Sequence, residues 1–244
     1  MATYDLRPGA RSGGHAVGIL QLDCWLPFIP GDVDNASTYD YPVIYKMVPG
    51  LTTAACLSGA PEFASAVAAA AIELEKQGVR AISSDCGFML QFQEAVREAV
   101  RIPVAMSSLL QLPIIAAALA PDQPIAVITA DSSNLTPDFL KRAGVAIPNP
   151  LVIRGLQDRP EFKAAVFDER GGIDSDLVTE EIVALAKEIV AAHPNTGAVL
   201  LECSMTPPYA KAVQDAVGLP VFDFITMIDQ VEQATRPRSN AQLS

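Results

Sequence analysis

Two of the four cysteines stand at matching places in the sequence. Cys86 follows the apolar stretch 78–82 and Cys203 follows the apolar stretch 198–201, so each thiol comes where a buried strand passes into a helical pattern. In both cases a proline that opens the next strand follows 17 residues after the cysteine. This equal spacing indicates an internal duplication, with one thiol from each half facing a cleft between the halves.

Thiols at these places could carry acid/base chemistry. Unpaired backbone N–H groups at a helix start favour the thiolate, so we expect the pKa of each thiol to be lowered. Two thiols on opposite walls, one deprotonated and one protonated, can move a proton at a carbon next to a carboxylate or carbonyl. The resulting carbanion or enediolate needs hydrogen-bond donors. Candidate donors are the N–H groups of Gly87, Phe88 and Ser204 and the hydroxyls of Thr129 and Ser204, and Asp131 is expected to line the same cleft.

Strands alternate with helices along the chain, a pattern typical of parallel sheets with crossover helices. The predicted fold is therefore α/β, with two similar lobes that are each a parallel sheet flanked by helices. The lobes are related by a pseudo-twofold duplication, and the active site lies in the cleft between them. The predicted first lobe is 1–112, the second is 113–224, and a C-terminal helix within 225–244 packs on the first lobe. Residues 158–174 follow no clear pattern.

Composition excludes several classes of function. The net charge of −11 argues against nucleic acid and against an anionic membrane surface as partners. The cysteine spacing gives neither a disulfide framework nor a CxxC pair, and the presence of only two histidines argues against a zinc site. No apolar leader precedes the first strand, so we expect a cytoplasmic protein with reduced thiols. No glycine-rich phosphate loop occurs, so neither a cofactor nor a metal is expected.

The chain resembles the aspartate/glutamate racemase superfamily over nearly its whole length. These enzymes are cofactor-independent, have two similar α/β domains and place one cysteine from each domain beside the substrate. The motifs that carry the resemblance are Leu22-Asp23, Pro30-Gly31-Asp32, Asp85-Cys86-Gly87-Phe88, Thr129-Ala130 and Glu202-Cys203-Ser204-Met205-Thr206-Pro207-Pro208. The resemblance implies that Cys86 and Cys203 are catalytic. It also implies that the substrate is bound by Asp23, Gly87, Phe88, Thr129, Asp131, Ser204 and Met205.

The motifs also differ from those of the best-known racemases of aspartate and glutamate. Those enzymes have Cys-Asn-Thr at the first site and Cys-Thr-His at the second, where this chain has Cys86-Gly87-Phe88 and Cys203-Ser204-Met205. No histidine follows Cys203 as an auxiliary acid. Other members of the superfamily include hydantoin racemases, maleate isomerases, arylmalonate decarboxylases and a lyase of a sulfonium compound.

We therefore expect a cofactor-independent racemase or isomerase that uses two thiols on a small carboxylate or carbonyl substrate. The alternatives are a lyase or cis–trans isomerase of the same superfamily that uses one cysteine as base or nucleophile, or a binding protein without catalysis. Apolar residues such as Trp25 and Phe28, on a long loop, favour a monocarboxylate or a cyclic amide over aspartate or glutamate. The two aromatic residues either cover the substrate or pack the loop, and homo-oligomerisation is left open.

Overall fold

A computed structural model describes residues 6–142 and 145–237, and within these ranges eight strands form two separate four-stranded sheets. The strands are β1 (Val17–Gln21), β2 (Val43–Met47), β3 (Ala81–Ser84), β4 (Val104–Ala105), β5 (Ile125–Thr129), β6 (Leu151–Gly155), β7 (Ala198–Leu201) and β8 (Val221–Phe222). The first sheet has the order β2-β1-β3-β4 and the second β6-β5-β7-β8, with parallel pairing throughout. The predicted α/β fold of two similar sheets is confirmed.

Helices connect the strands. The α-helices in the described part of the chain are α1 (Thr53–Ser58), α2 (Ala64–Lys76), α3 (Gln93–Ala99), α4 (Leu112–Ala118), α5 (Pro137–Arg142), α6 (Pro160–Phe162), α7 (Ser175–Ala192), α8 (Ala210–Val217) and α9 (Phe224–Thr235). Short 3-10 turns occupy Ala36–Thr38, Pro61–Phe63, Gly87–Phe92, Ser108–Gln111 and Pro207–Tyr209, and a π-helical turn occupies Lys163–Phe167. The stretch 158–174, which has no clear sequence pattern, therefore forms α6 and the π-helical turn.

The two sheets repeat each other in register. Val17 of β1 pairs with Ala81 of β3, and Ile125 of β5 pairs with Ala198 of β7. Both β3 and β7 run for four residues from these pairing points, so both end two residues before a cysteine. Since the carboxyl ends of parallel strands lie at one edge of each sheet, the duplication brings both thiols to equivalent edges.

Each sheet is buried on both faces, which is why its central strands read as continuous apolar runs. Along β1, Val17 and Ile19 share a hydrophobic cluster with α9, whereas Leu20 shares a different cluster with α2. Successive side chains of a strand point to opposite faces, so α2 and α9 cover opposite faces of the first sheet. The helix that ends the chain's second half is therefore part of the first half's core.

The helix α4 makes the reciprocal crossing. It follows β4 as α9 follows β8, and its Leu112 and Ile115 share a cluster with Val127 of β5 and Leu200 of β7. At the crossing point, the Gln111 side-chain amide donates a hydrogen bond to the Asp223 carbonyl over 2.8 Å. The boundary near residue 112 remains a prediction, and residues 238–244 of the expected C-terminal segment lie outside the described ranges.

No helix within the described ranges combines the length and the apolar character that a membrane crossing requires.

The cap of α9 gives a test of this arrangement. Asp223 accepts a hydrogen bond from the Thr226 backbone N–H over 2.8 Å, and the Thr226 hydroxyl accepts one from the Asp223 N–H over 2.9 Å. Asp223→Ala should lower the free energy of unfolding by about 1–2 kcal/mol, because the cap of the crossing helix is lost. Urea unfolding measures the change. Asp176→Ala, in the exposed first turn of α7, is the control and should change it by less than about 0.5 kcal/mol. Equal losses in both variants would contradict the assigned role of the cap.

Candidate active site

Both halves of the chain contribute to one cavity at the carboxyl ends of the two sheets. Cys86 and Cys203 both line it. The loop that follows β1 and the helix α1 close the cavity on the first-lobe side, and the π-helical turn Lys163–Phe167 closes it on the second-lobe side. The cleft between the halves that the duplication predicts is therefore present, with one thiol from each half.

The two thiols have similar backbone surroundings. The sulfur of Cys86 accepts a hydrogen bond from the Phe88 N–H, and the sulfur of Cys203 accepts one from the Met205 N–H. The carbonyl groups of both cysteines accept a bond from the N–H three residues later, over 3.0 and 3.1 Å. The local turn after each strand is thus duplicated together with the sheets.

The expectation that helix starts lower the pKa of both thiols is wrong. Contact with the Cys56 thiol, 4.0 Å away, and removal from water raise the pKa of Cys86 above its ordinary value. Burial and the nearby Glu202 carboxyl raise the pKa of Cys203 in the same way. The helical turns that follow the thiols are short 3-10 segments, so their dipoles do not offset burial and neighbouring acids.

A buried acid stands directly before each thiol, and the two acids are held in equivalent ways. Asp85 accepts a hydrogen bond from the N–H of Leu22, the first residue after β1, over 2.8 Å. Glu202 accepts one from the N–H of Ala130, the first residue after β5, and another from the Thr129 hydroxyl over 2.7 Å. Among the described residues, no backbone N–H, side-chain amide or hydroxyl group donates to Oδ1 of Asp85 or to Oε1 of Glu202.

Two further acids come from the loop after β1. Asp34 lines the cavity and hydrogen-bonds to the Asp85 carboxyl, so these two groups share a proton, and burial raises the pKa of both. Asp32 is buried, and burial raises its pKa to about 8. Burial also raises the pKa of Glu202 to about 7. The site therefore holds several carboxyl groups that retain protons well above the usual range.

The two halves touch each other through these residues. The Ser204 hydroxyl donates a hydrogen bond to the Asp85 carbonyl across the cleft. The Glu202 carboxyl lies against the Cα atom of Gly87, where a Cβ would collide with Oε1 and come within 2.7 Å of the Glu202 carbonyl oxygen. Position 87 therefore requires glycine because of a close approach rather than because of its backbone angles.

The sequence-predicted binding residues divide into two groups. Gly87, Phe88, Ser204 and Met205 line the cavity with the two cysteines. Three others do not line it: Asp23 accepts a bond from the Gly50 N–H, Thr129 bonds to Glu202, and Asp131 accepts bonds from Ser133 and Asn134 in its own turn. The hydrogen bonds of these three side chains thus go to other parts of the protein, and the substrate roles of all seven residues remain predictions.

Sequence reasoning missed the acids beside the thiols. Asp85 and Glu202 were not among the predicted site residues, but both strands have ended by these positions and both residues line the cavity. Alignment of the two halves on their cysteines would have revealed them, since it superposes Asp85 on Glu202. On the long loop, Phe28 lines the cavity while Trp25 is 86 % exposed.

Within the described ranges, no group of three or more Cys, His, Asp or Glu side chains is arranged to hold a metal ion.

Solved structures share this fold. A mutant of arylmalonate decarboxylase matches with a TM-score of 0.60 and 18 % identity, covering 92 % of this chain and 96 % of that one. An aspartate racemase homologue from Pyrococcus horikoshii OT3 matches with a TM-score of 0.55 and 16 % identity, covering 90 % of this chain and 98 % of that one. The fold is that of the aspartate/glutamate racemase superfamily, as the sequence motifs predicted.

Curated relatives define the family more narrowly, although no protein-family model matches the chain. Dimethylsulfoniopropionate lyase 7 of Emiliania huxleyi is 40 % identical over 221 residues, which cover 86 % of this chain and 64 % of the relative. The dimethylsulfoniopropionate lyase of Durusdinium sp. clade D is 39 % identical, covering 88 % of this chain and 73 % of the relative. The chain belongs to the dimethylsulfoniopropionate lyase family and spans about two thirds of the length of these relatives.

The main functional expectation, a racemase or isomerase, is therefore wrong. The relatives that are 39–40 % identical to this chain, over 86–88 % of its length, are lyases. The alternative of a lyase in the same superfamily agrees with them.

The buried Asp32 predicts an unusual dependence of stability on pH. Its pKa in the folded protein, about 8, lies above the ordinary value of 3.8, so the folded state holds a proton that the unfolded state has lost. Stability should therefore fall as pH rises from about 4 to about 8, by up to about 1.4 kcal/mol per pH unit. Asp32→Asn should flatten this slope, whereas Asp40→Asn, at an exposed position of the same loop, should leave it unchanged. Urea unfolding at several pH values measures the slope, and parallel profiles for both variants would refute the assignment.

The contact between the halves at Gly87 can be tested by adding one methyl group. Gly87→Ala should lower the free energy of unfolding by about 1–3 kcal/mol, because the Cβ atom would force Glu202 and the second half away. The matched control is Gly172→Ala, where a Cβ would meet no described atom within 4 Å. Thermal unfolding compares the two, and an unchanged midpoint for Gly87→Ala would show that the halves do not meet there.

Proposed function

We propose that the protein is a lyase that cleaves dimethylsulfoniopropionate, or a closely similar sulfonium carboxylate, by elimination. The observation that carries this proposal is the 39–40 % identity to lyases of that compound over 86–88 % of the chain. The cavity supports it, because it is shared by two thiols in duplicated positions and is lined largely by apolar side chains suited to a small compound with methyl groups.

The proposed reaction removes a proton from the carbon next to the carboxylate. The electron pair of that C–H bond forms a carbon–carbon double bond, and the bond from the next carbon to sulfur breaks with its electrons moving to sulfur. The products are acrylate, neutral dimethyl sulfide and a proton held by the base. The reaction thus needs one base, donors for the substrate carboxylate and a site for the leaving group.

We assign the base to Cys203. A backbone N–H donates to each of the two sulfur atoms and stabilises its thiolate, but Cys86 also contacts the Cys56 thiol, and this contact is the largest cause of its raised pKa. A cationic substrate beside Cys203 lowers the pKa of the thiol, because an opposite charge favours the charged form. The free protein therefore keeps the thiol protonated, and the bound substrate promotes its ionisation.

The substrate carboxylate is assigned to backbone donors that directly follow the thiols. The Ser204 hydroxyl already donates to the Asp85 carbonyl, and the Thr129 hydroxyl to Glu202. The N–H groups of Gly87 and Ser204 remain the donors next to the reacting carbon. Backbone N–H groups in a closed site bind an enolate-like carboxylate without a buried basic side chain.

The proposal predicts release of dimethyl sulfide and acrylate from dimethylsulfoniopropionate, measured by gas chromatography and by NMR. Cys203→Ser should lower kcat/KM by at least about a hundredfold, because a hydroxyl is too weak an acid to replace the thiol as base. Cys86→Ser should lose less, and so should Cys24→Ser, the comparison thiol from the same cavity outside the duplicated positions. Each variant's thermal midpoint checks its folding. Near-normal turnover by Cys203→Ser would exclude this thiol as the base, and the absence of both products with the intact protein would exclude the proposed function.

A further inference from the structure

We propose that the Glu202 carboxylate binds the cationic group of the substrate and so makes the site prefer a sulfonium over an uncharged group of the same size. The inference rests on the proposed function, because the cation comes from that substrate. It goes beyond it by naming the residue that sets the preference for charge.

The geometry of Glu202 leaves one buried oxygen without a hydrogen-bond partner in the described part of the chain, and this oxygen lies against Gly87 in a residue that lines the cavity. The residue is 1 % exposed and lines the cavity. Its Oε2 atom accepts the Thr129 hydroxyl over 2.7 Å, while Oε1 has no hydrogen-bond partner among the described residues. A buried carboxylate oxygen without a partner is costly, and a bound cation removes that cost.

The charges around the cavity favour a cation. Three carboxyl groups line it, those of Asp34, Asp85 and Glu202, and none of the described lining residues is Lys, Arg or His. Carboxyl groups that ionise beside a cation attract it, and no basic side chain among the described lining residues competes with it. A zwitterionic substrate is therefore expected to turn its cationic end towards these acids and its carboxylate towards the backbone donors.

Glu202 is distinguished from the other two acids by its partners. Asp34 and Asp85 hydrogen-bond to each other, so they share one proton, and Asp34 also accepts a bond from the Gln21 amide over 2.9 Å. Glu202 instead receives donors from its own half alone and reaches across to Gly87 of the other half. Burial raises its pKa to about 7, so near neutral pH it ionises readily once a cation is bound.

Aromatic and sulfur-containing side chains complete the surroundings of the cation. Phe88, Phe167 and Met205 line the same cavity. The faces of aromatic rings attract methylated cations, and these apolar surfaces accommodate the methyl groups. The acid is thus expected to supply the charge preference and the apolar residues the fit.

Two inhibitors of equal shape test the charge preference. 3-(Trimethylammonio)propanoate carries a cation where 4,4-dimethylpentanoate carries an uncharged tert-butyl group, and both retain the carboxylate. Inhibition constants against dimethylsulfoniopropionate cleavage should favour the cation by at least about tenfold in the intact protein. In Glu202→Gln this ratio should fall by at least about tenfold, with the inhibition constant of the uncharged compound changed by less than about threefold.

The matched control is Glu94→Gln, which removes the same charge from an exposed side chain outside the cavity and should keep the ratio of the intact protein. If Glu202→Gln does not fold, Glu202→Asp replaces it. The Asp side chain is shorter by one methylene group, so it holds the charge further from the bound cation and should reduce the ratio of the two inhibition constants. Glu94→Asp should leave that ratio unchanged.

The outcomes separate this inference from the proposed function. Failure of the intact protein to cleave dimethylsulfoniopropionate would refute the proposed function, whatever the variants do. Cleavage with an unchanged inhibitor ratio in Glu202→Gln would refute the role of Glu202 alone. Strongly reduced but measurable turnover with an unchanged ratio would also refute it, because it would make Glu202 part of the proton transfer rather than the partner of the cation.

Discussion

Two backbone N–H groups, those of Leu22 and Ala130, organise the centre of this molecule. Each belongs to the first residue after the leading strand of its sheet, and each donates to the acid that precedes a cysteine. These bonds join the end of one central strand to the end of its neighbour. They therefore determine where each strand ends and where the following cysteine is placed. Because the same bond occurs in both halves, the backbone around the cavity is duplicated, although the side chains that line the cavity differ chemically between the halves.

The features predictable from the sequence are those that depend on short-range pattern. Apolar runs of strand length, together with the repeated interval from cysteine to proline, led to two parallel sheets with the thiols at their edges, and the structure has this arrangement. The helix α1 and the fold of 158–174 were not predicted, since their residues are fixed by contacts with distant parts of the chain. The residues of 163–167, for example, become ordered against the second sheet's hydrophobic cluster.

The chemistry of the site was less predictable than its position. A helix start suggested an acidic thiol, but the pKa of a buried group depends on everything packed around it, which sequence neighbours do not reveal. Cys56 lies 30 residues before Cys86, and the loop that bears Asp34 lies further still. The unequal surroundings of the two thiols suit a reaction with one base better than a racemisation, in which both faces need comparable acids and bases.

The loop after β1 is fastened to the opposite half rather than to its own strand alone. Val33 donates its N–H to the Ser204 carbonyl over 3.4 Å, and its own carbonyl accepts the hydroxyls of Tyr39 and Tyr45. Gly31, with φ of +98°, lies so close to Pro208 that a Cβ would come within 3.0 Å of its Cα atom. Separation of the halves would break the bond from Val33 to Ser204 and the contact of Gly31 with Pro208 together. Movement of this loop away from the cavity would therefore also loosen the contact between the two halves, so entry of a ligand past the loop is expected to be coupled to the packing of the halves.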